Sequence, residues 1–455
     1  MRKITAPILC VCMAFAATLF LLSSARDARA QESATTPDTT LAGAEERYGN
    51  STAGEFTPAR GFDIFKSDHG SLNISVYGLF RYLNQMPGEQ TFTDHLGRTR
   101  TVKARNDLNW HRTMVWLSGF FYNPKLNYTI TVWSLPTTQQ TLAFGVLRYT
   151  VSRPLTMGVG IGPNLTSRSM AGTWPFWPGS DRIMGDEAVR AGFASSFFVT
   201  GQPADGLFYT GAITTNLSQL GVTASNDTRD MGYSATLWWM PTTKEFGPRG
   251  GFGDLEEHQR LATRFGVSAA HARESRATPL SSPNPNETQI RLSDGVYAFE
   301  QGALADSVTV NYLDYDALSF DAGFKYKGFC LQGELLMRRL SKFEAFDVHQ
   351  GADYGTPFSL ADDSIVDKSL YGSAGYMVVE RKLMLYAIGS YLFDEFERNP
   401  WEAGGGASFY PYGNRSWRVN MHILHIDRSP AGSNFGYYTA GQTGTTFSLG
   451  TDILL

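Results

Sequence analysis

The stretch FCLQGELLMRRL, residues 329–340, is compatible with two folds. At a helical period of 3.6 residues it is an amphipathic helix, and at a period of two it is a strand with an apolar face and a charged face. A helix would scatter the apolar side chains around its surface, whereas a strand places Glu334 and Arg338 together on the face opposite to them. The apolar face of the strand would consist of Phe329, Leu331, Leu335 and Met337. Arg339 breaks the alternation, which indicates that the strand leaves an apolar layer there.

The same alternation recurs in segments of about ten residues, the length that a tilted strand needs to cross a bilayer. The clearest is SLNISVYGLFRY, residues 71–82, where apolar residues alternate with Ser, Asn and Arg. Similar segments are 111–122, 126–135, 141–150, 155–163, 317–328, 368–379 and 382–393. Weaker alternation marks 206–217, 231–240, 260–271, 290–300 and 306–314. Turn-forming residues at 123–125, 327–328 and 380–381 predict antiparallel hairpins.

Serial antiparallel strands build either a soluble sandwich or propeller, or an outer-membrane barrel. Strands of soluble sheets are commonly about five or six residues long, which is shorter than these segments. Aromatic residues gather at the segment ends, where lipid headgroups would contact them. The chain also finishes with TFSLGTDILL, residues 446–455, an alternating apolar strand of the kind that closes bacterial barrels. The pattern therefore predicts an all-β, transmembrane antiparallel β-barrel.

The first thirty residues have the features of an export signal. Arg2 and Lys3 precede an apolar run at 8–22, and residues 28–30 form an Ala-Arg-Ala cleavage pattern. A retained membrane anchor is the alternative, but the polar stretch that follows favours cleavage. The predicted parts are a signal peptide at 1–30, a flexible leader at 31–60 and an outer-membrane β-barrel at 61–455.

Composition argues against two other classes of protein. The formal net charge is −4, and residues 1–30 hold four basic side chains and one acidic side chain. Removal of these residues would leave a net charge of about −7. A chain with this charge has no overall positive field that would attract nucleic acid. Beyond the signal there is no run of about 18 apolar residues, which excludes a helical membrane protein. Cys330 would be the single remaining cysteine, which excludes an intramolecular disulfide framework.

From about Trp110 to Leu217 the order of segments resembles the phosphate-selective porin O and P family of Gram-negative outer membranes. Residues 106–135 are similar to the family's early basic strand, short turn and return strand, and residues 142–198 to its next strand pair and loop. Residues 329–340 are similar to a later strand with an inward Glu and trailing arginines. The resemblance implies about 16 strands, a homotrimer, and contact with the lipid bilayer and lipopolysaccharide. It also implies passage of small hydrophilic solutes, with anions such as phosphate among the candidates, although the family's lysine-dense collar is not evident here.

Counting strands from a periplasmic N-terminus makes residues 164–187 the third external loop, which in such porins folds into the lumen. Trp and Pro would fix its shape, while Arg and Asp would set a transverse field on passing ions. The predicted constriction residues are Arg168, Trp174, Trp177, Asp181, Arg182, Asp186 and Glu187. The predicted water-lining residues are Asn73, Ser75, Arg81, Asn127, Thr129, Thr131, Gln332, Glu334 and Arg338. The alternative is an ordinary exposed loop with a self-packed aromatic cluster.

Residue patterns for catalysis and metal binding receive no support. His422 and His425 are three residues apart, so a strand would place them on opposite faces and they could not chelate one metal ion. The Gly-rich stretches at 158–162 and 251–254 precede no helix and do not form phosphate-binding motifs. We therefore expect no enzyme activity, no metal site and no cofactor. The sequence predicts a passive porin, with a non-conducting barrel acting as an adhesin or enzyme scaffold as the alternative.

Overall fold

The computed structural model describes residues 57–135, 140–217, 230–276, 279–280, 290–348, 355–432 and 436–455. The predicted signal peptide at 1–30 and most of the predicted leader at 31–60 lie outside these ranges. No helix in the described ranges is long and apolar enough to span a bilayer. The helical elements are α1 (Met184–Val189) and 3-10 turns at Arg168–Ala171 and Pro248–Gly250.

The described residues form strands numbered here in chain order. They are β1 (Phe62–Ser67), β2 (Gly70–Met86), β3 (Glu89–Thr93), β4 (Thr99–Lys103), β5 (Asn106–Phe121), β6 (Asn123–Leu135), β7 (Gln140–Ser152), β8 (Leu155–Pro163), β9 (Phe193–Ala204), β10 (Leu207–Thr214), β11 (Gly232–Trp239), β12 (Ala262–Ser275), β13 (Val308–Tyr326), β14 (Phe329–Asp347), β15 (Thr356–Phe358), β16 (Ser364–Val379), β17 (Leu383–Phe393), β18 (Trp401–Phe409), β19 (Trp417–Asp427) and β20 (Gly444–Leu454).

Sixteen strands form one closed antiparallel barrel. The ring runs in chain order through β2, β5 to β14 and β16 to β20, and it closes where β20 pairs with β2, with Leu454 opposite Tyr77. β3 and β4 form a separate hairpin, while β1 and β15 are short strands paired with β2 and β14. Closure leaves no free edge in the ring, as a barrel in lipid requires. The prediction of an antiparallel barrel of about 16 strands is confirmed.

The strand interpretation of residues 329–340 is confirmed, because they form the first part of β14 between β13 and β16. Leu335 is 37% exposed on the outer face, whereas the adjacent Leu336 is 1% exposed on the inner face. Lys327 and Gly328 make the tight turn before it with φ of 47° and 80°, a left-handed pair that suits a two-residue hairpin. Arg339 lies exposed on the outer face, and β14 continues to Asp347.

Three barrel strands were absent from the predicted segments: β9, β18 and β19. β18 contains Gly404, Gly405 and Gly406 in succession, and glycines carry no side chains that could show an alternating pattern. Conversely, the weakly alternating stretch 290–300 is not a barrel strand and lies between β12 and β13. The differences at β18 and at 290–300 arise where side-chain alternation is weak.

The two ends of the barrel differ in the length of their connections. At the end called here the loop end, the connections are 87–105, 136–139, 164–192, 215–231, 276–307, 348–363, 394–400 and 428–443. At the opposite end, called the turn end, they are 122, 153–154, 205–206, 240–261, 327–328, 380–382 and 410–416, with Leu455 at the same end. Residues 164–192 are therefore the third connection at the loop end, as the strand count predicted.

Candidate functional site

The third loop, residues 164–192, is hydrogen-bonded to side chains of strands on several sides of the ring. Its backbone N–H groups at Arg168 and Met184 donate to Glu334 of β14 (2.9 Å) and Glu402 of β18 (2.6 Å). Two arginines of the wall strands, Arg338 and Arg418, and Arg415 of the turn-end connection 410–416 donate in the opposite direction to its carbonyl oxygens. These bonds are Arg338 to Ala188 (3.1 Å), Arg415 to Pro175 (2.9 Å) and Arg418 to Trp177 (2.8 Å).

An aromatic cluster fixes the middle of the third loop. Trp174 is fully buried and meets the ring of Tyr77 edge-on at 4.5 Å, with Trp116 at 6.2 Å. The indole of Trp177 donates to Thr173 Oγ1 at 2.9 Å. Large aromatic side chains bury much apolar area in a defined geometry, so they hold the loop in one shape. The sequence-predicted Trp174 and Trp177 therefore lie together.

The charged residues of the third loop do not face one another across an open bore. Asp181 contacts Arg81 and, at 3.0 Å, Arg112 on the wall. Arg182 lies 3.5 Å from Asp186 within the loop. The third local pair joins Glu187 to Arg190 at 2.8 Å. The loop packs directly onto the wall, so these charges form ion pairs in contact and are not separated across a gap. An effect of these residues on ion selectivity stays a prediction.

A second segment, which the sequence did not reveal, packs against the third loop. Residues 240–261, called here the inner segment, connect β11 to β12 at the turn end. Arg249 donates to the carbonyl of Trp174 (2.8 Å), and Phe252 N–H donates to the carbonyl of Phe176 (2.7 Å). Arg168 of the third loop packs over Phe252, 4.8 Å from its ring centre, and donates to the carbonyl of Gly250.

The length of the inner segment was the available sequence signal. It has 22 residues, whereas the other connections at the turn end have seven or fewer. Loops of that length in compact folds usually have a function of their own. Its position against the third loop and the strands could not be predicted from its sequence, because its partners are distant along the chain. For example, Gln332 of β14 donates to the carbonyl of Gly251 at 3.1 Å, across 81 positions.

A buried histidine between two carboxylates holds the inner segment at the turn end. His258 contacts Asp254 through Nδ1 and Glu245 Oε1 through Nε2 at 3.0 Å. Burial alone would lower the pKa of His258, but the hydrogen bonds to Asp254 and Glu245 raise it above its usual 6.5. Burial would raise the pKa of both carboxyls, but hydrogen bonds from His258 hold each below its usual value. Asp254 also accepts from Gly328 N–H (2.8 Å), which joins the cluster to the β13–β14 turn.

Two connected hollows, the turn-end compartment, lie beneath the third loop on the inner side of the wall. They have volumes of about 440 and 190 Å³ and share Thr156 and Thr200. The serines and threonines of the larger hollow are Ser71, Ser118, Thr129, Thr150, Thr156 and Thr200. The charged residues that line the two hollows are Arg148, Arg153, Arg249 and Arg264, and the lining contains no Asp or Glu. The compartment is polar and carries positive charge.

The predicted water-lining residues divide into two groups. Asn73, Asn127 and Thr129 line the larger hollow of the turn-end compartment. The remainder are buried instead of lining an open bore: Ser75, Arg81, Thr131, Gln332, Glu334 and Arg338. The alternation placed these side chains on the inner face, where this second group is buried, and a role for it in lining water stays a prediction. Contacts with other parts of the chain explain the burial of four of these side chains. Arg81, Glu334 and Arg338 form hydrogen bonds with the third loop, and Gln332 donates to the inner segment.

The hairpin β3–β4 covers the loop end. His95 at its tip donates through its backbone N–H to Asp294 at 3.0 Å, and Arg100 donates to Glu300 at 2.8 Å. The ring of His95 also stacks on Phe396, 4.1 Å away. The hairpin belongs to the β2–β5 connection, and Asp294 to the β12–β13 connection, which is eight strands further around the ring. The hairpin therefore spans the loop end from one side to the other.

Comparisons with known proteins identify the fold. No family model matches the chain, and no curated protein matches its sequence. Outer-membrane expressed OmpT of Vibrio cholerae superposes with a TM-score of 0.51 at 11% identity, covering 86% of this chain and 100% of OmpT. An anion-selective porin from Comamonas acidovorans gives 0.46 at 12% identity, covering 84% of this chain and all of that one. OccAB1 of Acinetobacter baumannii gives 0.43 at 8% identity, covering 84% and 96%.

The likeness to OmpT extends to the fold alone. Together with the closed ring, it defines the class of fold as an antiparallel β-barrel of sixteen strands, like that of the outer-membrane protein OmpT.

Proposed function

We propose that this protein is an outer-membrane channel for passive diffusion of small hydrophilic solutes, with a preference for anions. The observation that carries the proposal is the turn-end compartment, whose lining has four arginines and no Asp or Glu. Arg153 pairs with Asp205 at 2.5 Å and Arg264 with Asp321 at 3.0 Å, so carboxylates outside the lining offset part of its positive charge. Fixed positive charge in a low-dielectric channel concentrates anions and repels cations.

The bore is narrow because two inserted elements occupy it. The third loop enters from the loop end and the inner segment from the turn end, and their contacts with inward side chains support this placement. Arg249 of the inner segment joins the two elements by donating to the carbonyl of Trp174, and it also donates to the carbonyls of Thr57 and Pro58, which precede β1. A solute must pass beside the contacts between the third loop and the inner segment or displace them. We therefore expect the channel to be selective and to have a small conductance.

The resemblance to the phosphate-selective porin O and P family supports three finer parts of the proposal. Phosphate is one candidate anion, the barrel assembles as a homotrimer, and it sits in the outer membrane against lipid and lipopolysaccharide. The turn end then faces the periplasm and the loop end the cell exterior. The arginines of the turn-end compartment would supply the cationic surface that lysine collars supply in that family.

A non-conducting barrel that acts as an adhesin or enzyme scaffold is the second candidate. The observation that favours it is the loop-end hairpin, which docks across the barrel mouth through His95–Asp294 and Arg100–Glu300. Ordered external loops of this kind are what a binding surface on the cell exterior would use. Conductance separates the two candidates.

The test is the reversal potential of the purified protein in a planar bilayer with a potassium chloride gradient. We expect stable channels of small conductance and a reversal potential with the sign of chloride preference, because the compartment carries fixed positive charge. A potential with the sign of potassium preference contradicts the anion preference. If no stable conductance is found in repeated reconstitutions, the channel proposal is wrong and the adhesin or scaffold candidate takes its place.

A further inference from the structure

An aromatic pair lies on the inner face of the wall in the smaller hollow of the turn-end compartment. Phe208 of β10 and Trp238 of β11 are paired across the two strands, and both are partly exposed and line the hollow. Their rings are nearly parallel, with an angle of 5° between the planes and 5.4 Å between the centres. The guanidinium of Arg264 lies 5.6 Å from the centre of the Trp238 ring. The wall therefore presents an ordered, flat aromatic surface to the hollow.

The space beside the aromatic pair fits one flat ring. Met240 and Phe246 of the inner segment pack against the pair and fix its position. Four of the residues that the third loop and the inner segment contribute to the lining have small side chains or none: Ala171, Gly172, Gly247 and Gly250. The hollow has a volume of about 190 Å³, and a cavity of about 150 Å³ is enough to hold benzene. A single six-membered ring therefore fits, stacked on the aromatic pair.

Hydrogen-bonding side chains in the same lining match a ring with polar edges. Gln202 Oε1 accepts from Arg153 Nε at 3.0 Å, and an amide side chain can also donate two hydrogen bonds. Thr173 Oγ1 accepts from the indole of Trp177 at 2.9 Å, and a hydroxyl that accepts can still donate one hydrogen bond. A nucleobase carries carbonyl and N–H groups around its ring, whereas a phenyl ring carries none. The smaller hollow therefore fits a nucleobase better than a hydrocarbon ring.

The larger hollow, which shares Thr156 and Thr200 with the smaller one, provides the second half of the site. The hydroxyls of Thr150 and Thr156 are 3.3 Å apart, and the amides of Asn73 and Asn127 lie in the same lining. Hydroxyls and amides both donate and accept, so they suit the hydroxyls of a sugar. Alone, this lining would suit many polar solutes. Next to a slot for a flat ring, it selects a ligand in which a ring is joined to a sugar.

The match does not depend on net charge. Arg153 pairs with Asp205 and Arg264 with Asp321, so the charges of these two arginines have partners. A free sugar would leave the aromatic pair without a partner. An aromatic compound without hydroxyls would leave the polar groups of the larger hollow without the hydrogen bonds that a sugar supplies. A nucleoside uses both hollows.

We propose that the turn-end compartment binds a pyrimidine nucleoside, with the base stacked on Phe208 and Trp238 in the smaller hollow. The ribose lies against the serine, threonine and asparagine side chains of the larger hollow. The base is a pyrimidine because the volume of the smaller hollow matches a single ring. This inference names a solute class for the proposed channel and rests on that function.

The test is titration calorimetry of uridine with the purified barrel in a detergent whose headgroup is not a sugar. Uracil and ribose serve as probes that each lack one half of the ligand. We expect uridine to bind at least about tenfold more tightly than either, because a stacked base alone contributes about that factor. Equal affinity for uridine and either fragment, or no binding of uridine, would overturn the proposal. Phenyl β-D-glucopyranoside has a ring and a sugar but no polar ring edge, so binding as tight as that of uridine would also overturn it.

Leucine variants test the aromatic pair. Trp238→Leu and Phe208→Leu keep an apolar side chain in place but remove the flat surface, so each should weaken uridine by about tenfold and leave ribose unaffected. Trp239→Leu is the matched control, because Trp239 is the next residue of β11 and lies on the outer face, 50% exposed. Circular dichroism checks that each variant is folded. If Trp239→Leu weakens uridine as much as Trp238→Leu, or if both variants of the pair bind uridine like the wild type, the base does not stack there and the proposal is wrong.

Valine variants test the sugar half. The double change Thr150→Val with Thr156→Val replaces hydroxyls by methyl groups, so uridine and ribose should both bind more weakly while uracil is unaffected. Thr141→Val is the control, because Thr141 lies on β7 like Thr150 but is exposed and outside the lining. Equal effects of the double change and the control would show that the larger hollow does not hold the ribose.

The bilayer measurement distinguishes failure of the site from failure of the channel. Uridine added on the turn-end side should reduce the chloride current with saturation. Chloride conductance without uridine binding in calorimetry would leave the channel and remove the site. Uridine binding that Trp238→Leu weakens, in a barrel without conductance, would keep the site and remove the channel.

Discussion

Asp181 joins the third loop to the barrel wall. Its carboxylate contacts Arg81 of β2 and Arg112 of β5, and all three side chains are at most 6% exposed. Asp181→Ala would leave both guanidiniums buried without this carboxylate, which typically costs about 3–5 kcal/mol for a buried ion pair. We expect a clear fall in the thermal unfolding midpoint in detergent, measured by circular dichroism.

A solvent-exposed ion pair provides the control for Asp181. Arg153 and Asp205 lie 2.5 Å apart at the turn end, with side chains 61% and 67% exposed. Exposed pairs contribute about 0–1 kcal/mol, so Asp205→Ala should change the midpoint little. Equal shifts for the two variants would show that Asp181 does not anchor the loop.

At the level of elements, the inner segment is held by His258 and two carboxylates, Asp254 and Glu245, whose pKa values are all shifted by their contacts. The folded pKa of His258 is raised above 6.5, so its contribution to anchoring is complete below about pH 6.5 and is lost as the pH rises through the folded value. The folded pKa values of Asp254 and Glu245 are lowered, so their contribution is present above their usual values and is lost only as the pH falls through the folded ones. Anchoring is therefore strongest in mildly acidic solution.

We expect the single-channel conductance, or the frequency of opening, to increase as the pH is raised through and above neutrality, because deprotonated His258 holds the inner segment less firmly. His258→Gln should remove this dependence and keep the channel in the state that wild type shows at high pH. His69→Gln is the control, since His69 is an exposed histidine at the same end. A conductance that does not change with pH, or the same loss in His69→Gln, would rule out the cluster as the anchor.

At the level of the whole molecule, both ends of the barrel are covered by elements outside the ring. The hairpin β3–β4 covers the loop end, while the strands that carry it continue to pair below it, with Asn84 opposite Asn106. Replacing residues 89–103 by a short Gly-Ser turn should leave the ring intact and increase conductance, because access from the loop end no longer passes the hairpin. Circular dichroism checks the fold and single-channel recording checks the conductance. An unchanged conductance in a correctly folded variant would show that the hairpin does not restrict access.

The amino-acid sequence alone determined the strands that alternate clearly, the turns that join them, and their inner and outer faces. The faces of β14 follow from the alternation in residues 329–340, and the turn at Lys327 and Gly328 follows from local residue preference. Side-chain alternation has a period of two and is a local property, so it can be read without knowing the partner strands. The same reasoning fails at Gly404, Gly405 and Gly406, which have no side chains to alternate.

Only the tertiary structure decided which residues the inner-face side chains contact. Ser180 N–H donates to the hydroxyl of Tyr437 across 257 positions, and Arg81 meets Asp181 across 100. No local pattern predicts such pairs. The identity of a side chain is the same whether it contacts water or a residue far away in the sequence. The sequence therefore placed Arg81 on the inner face, while the packing of the third loop determined that it meets a carboxylate there instead of water.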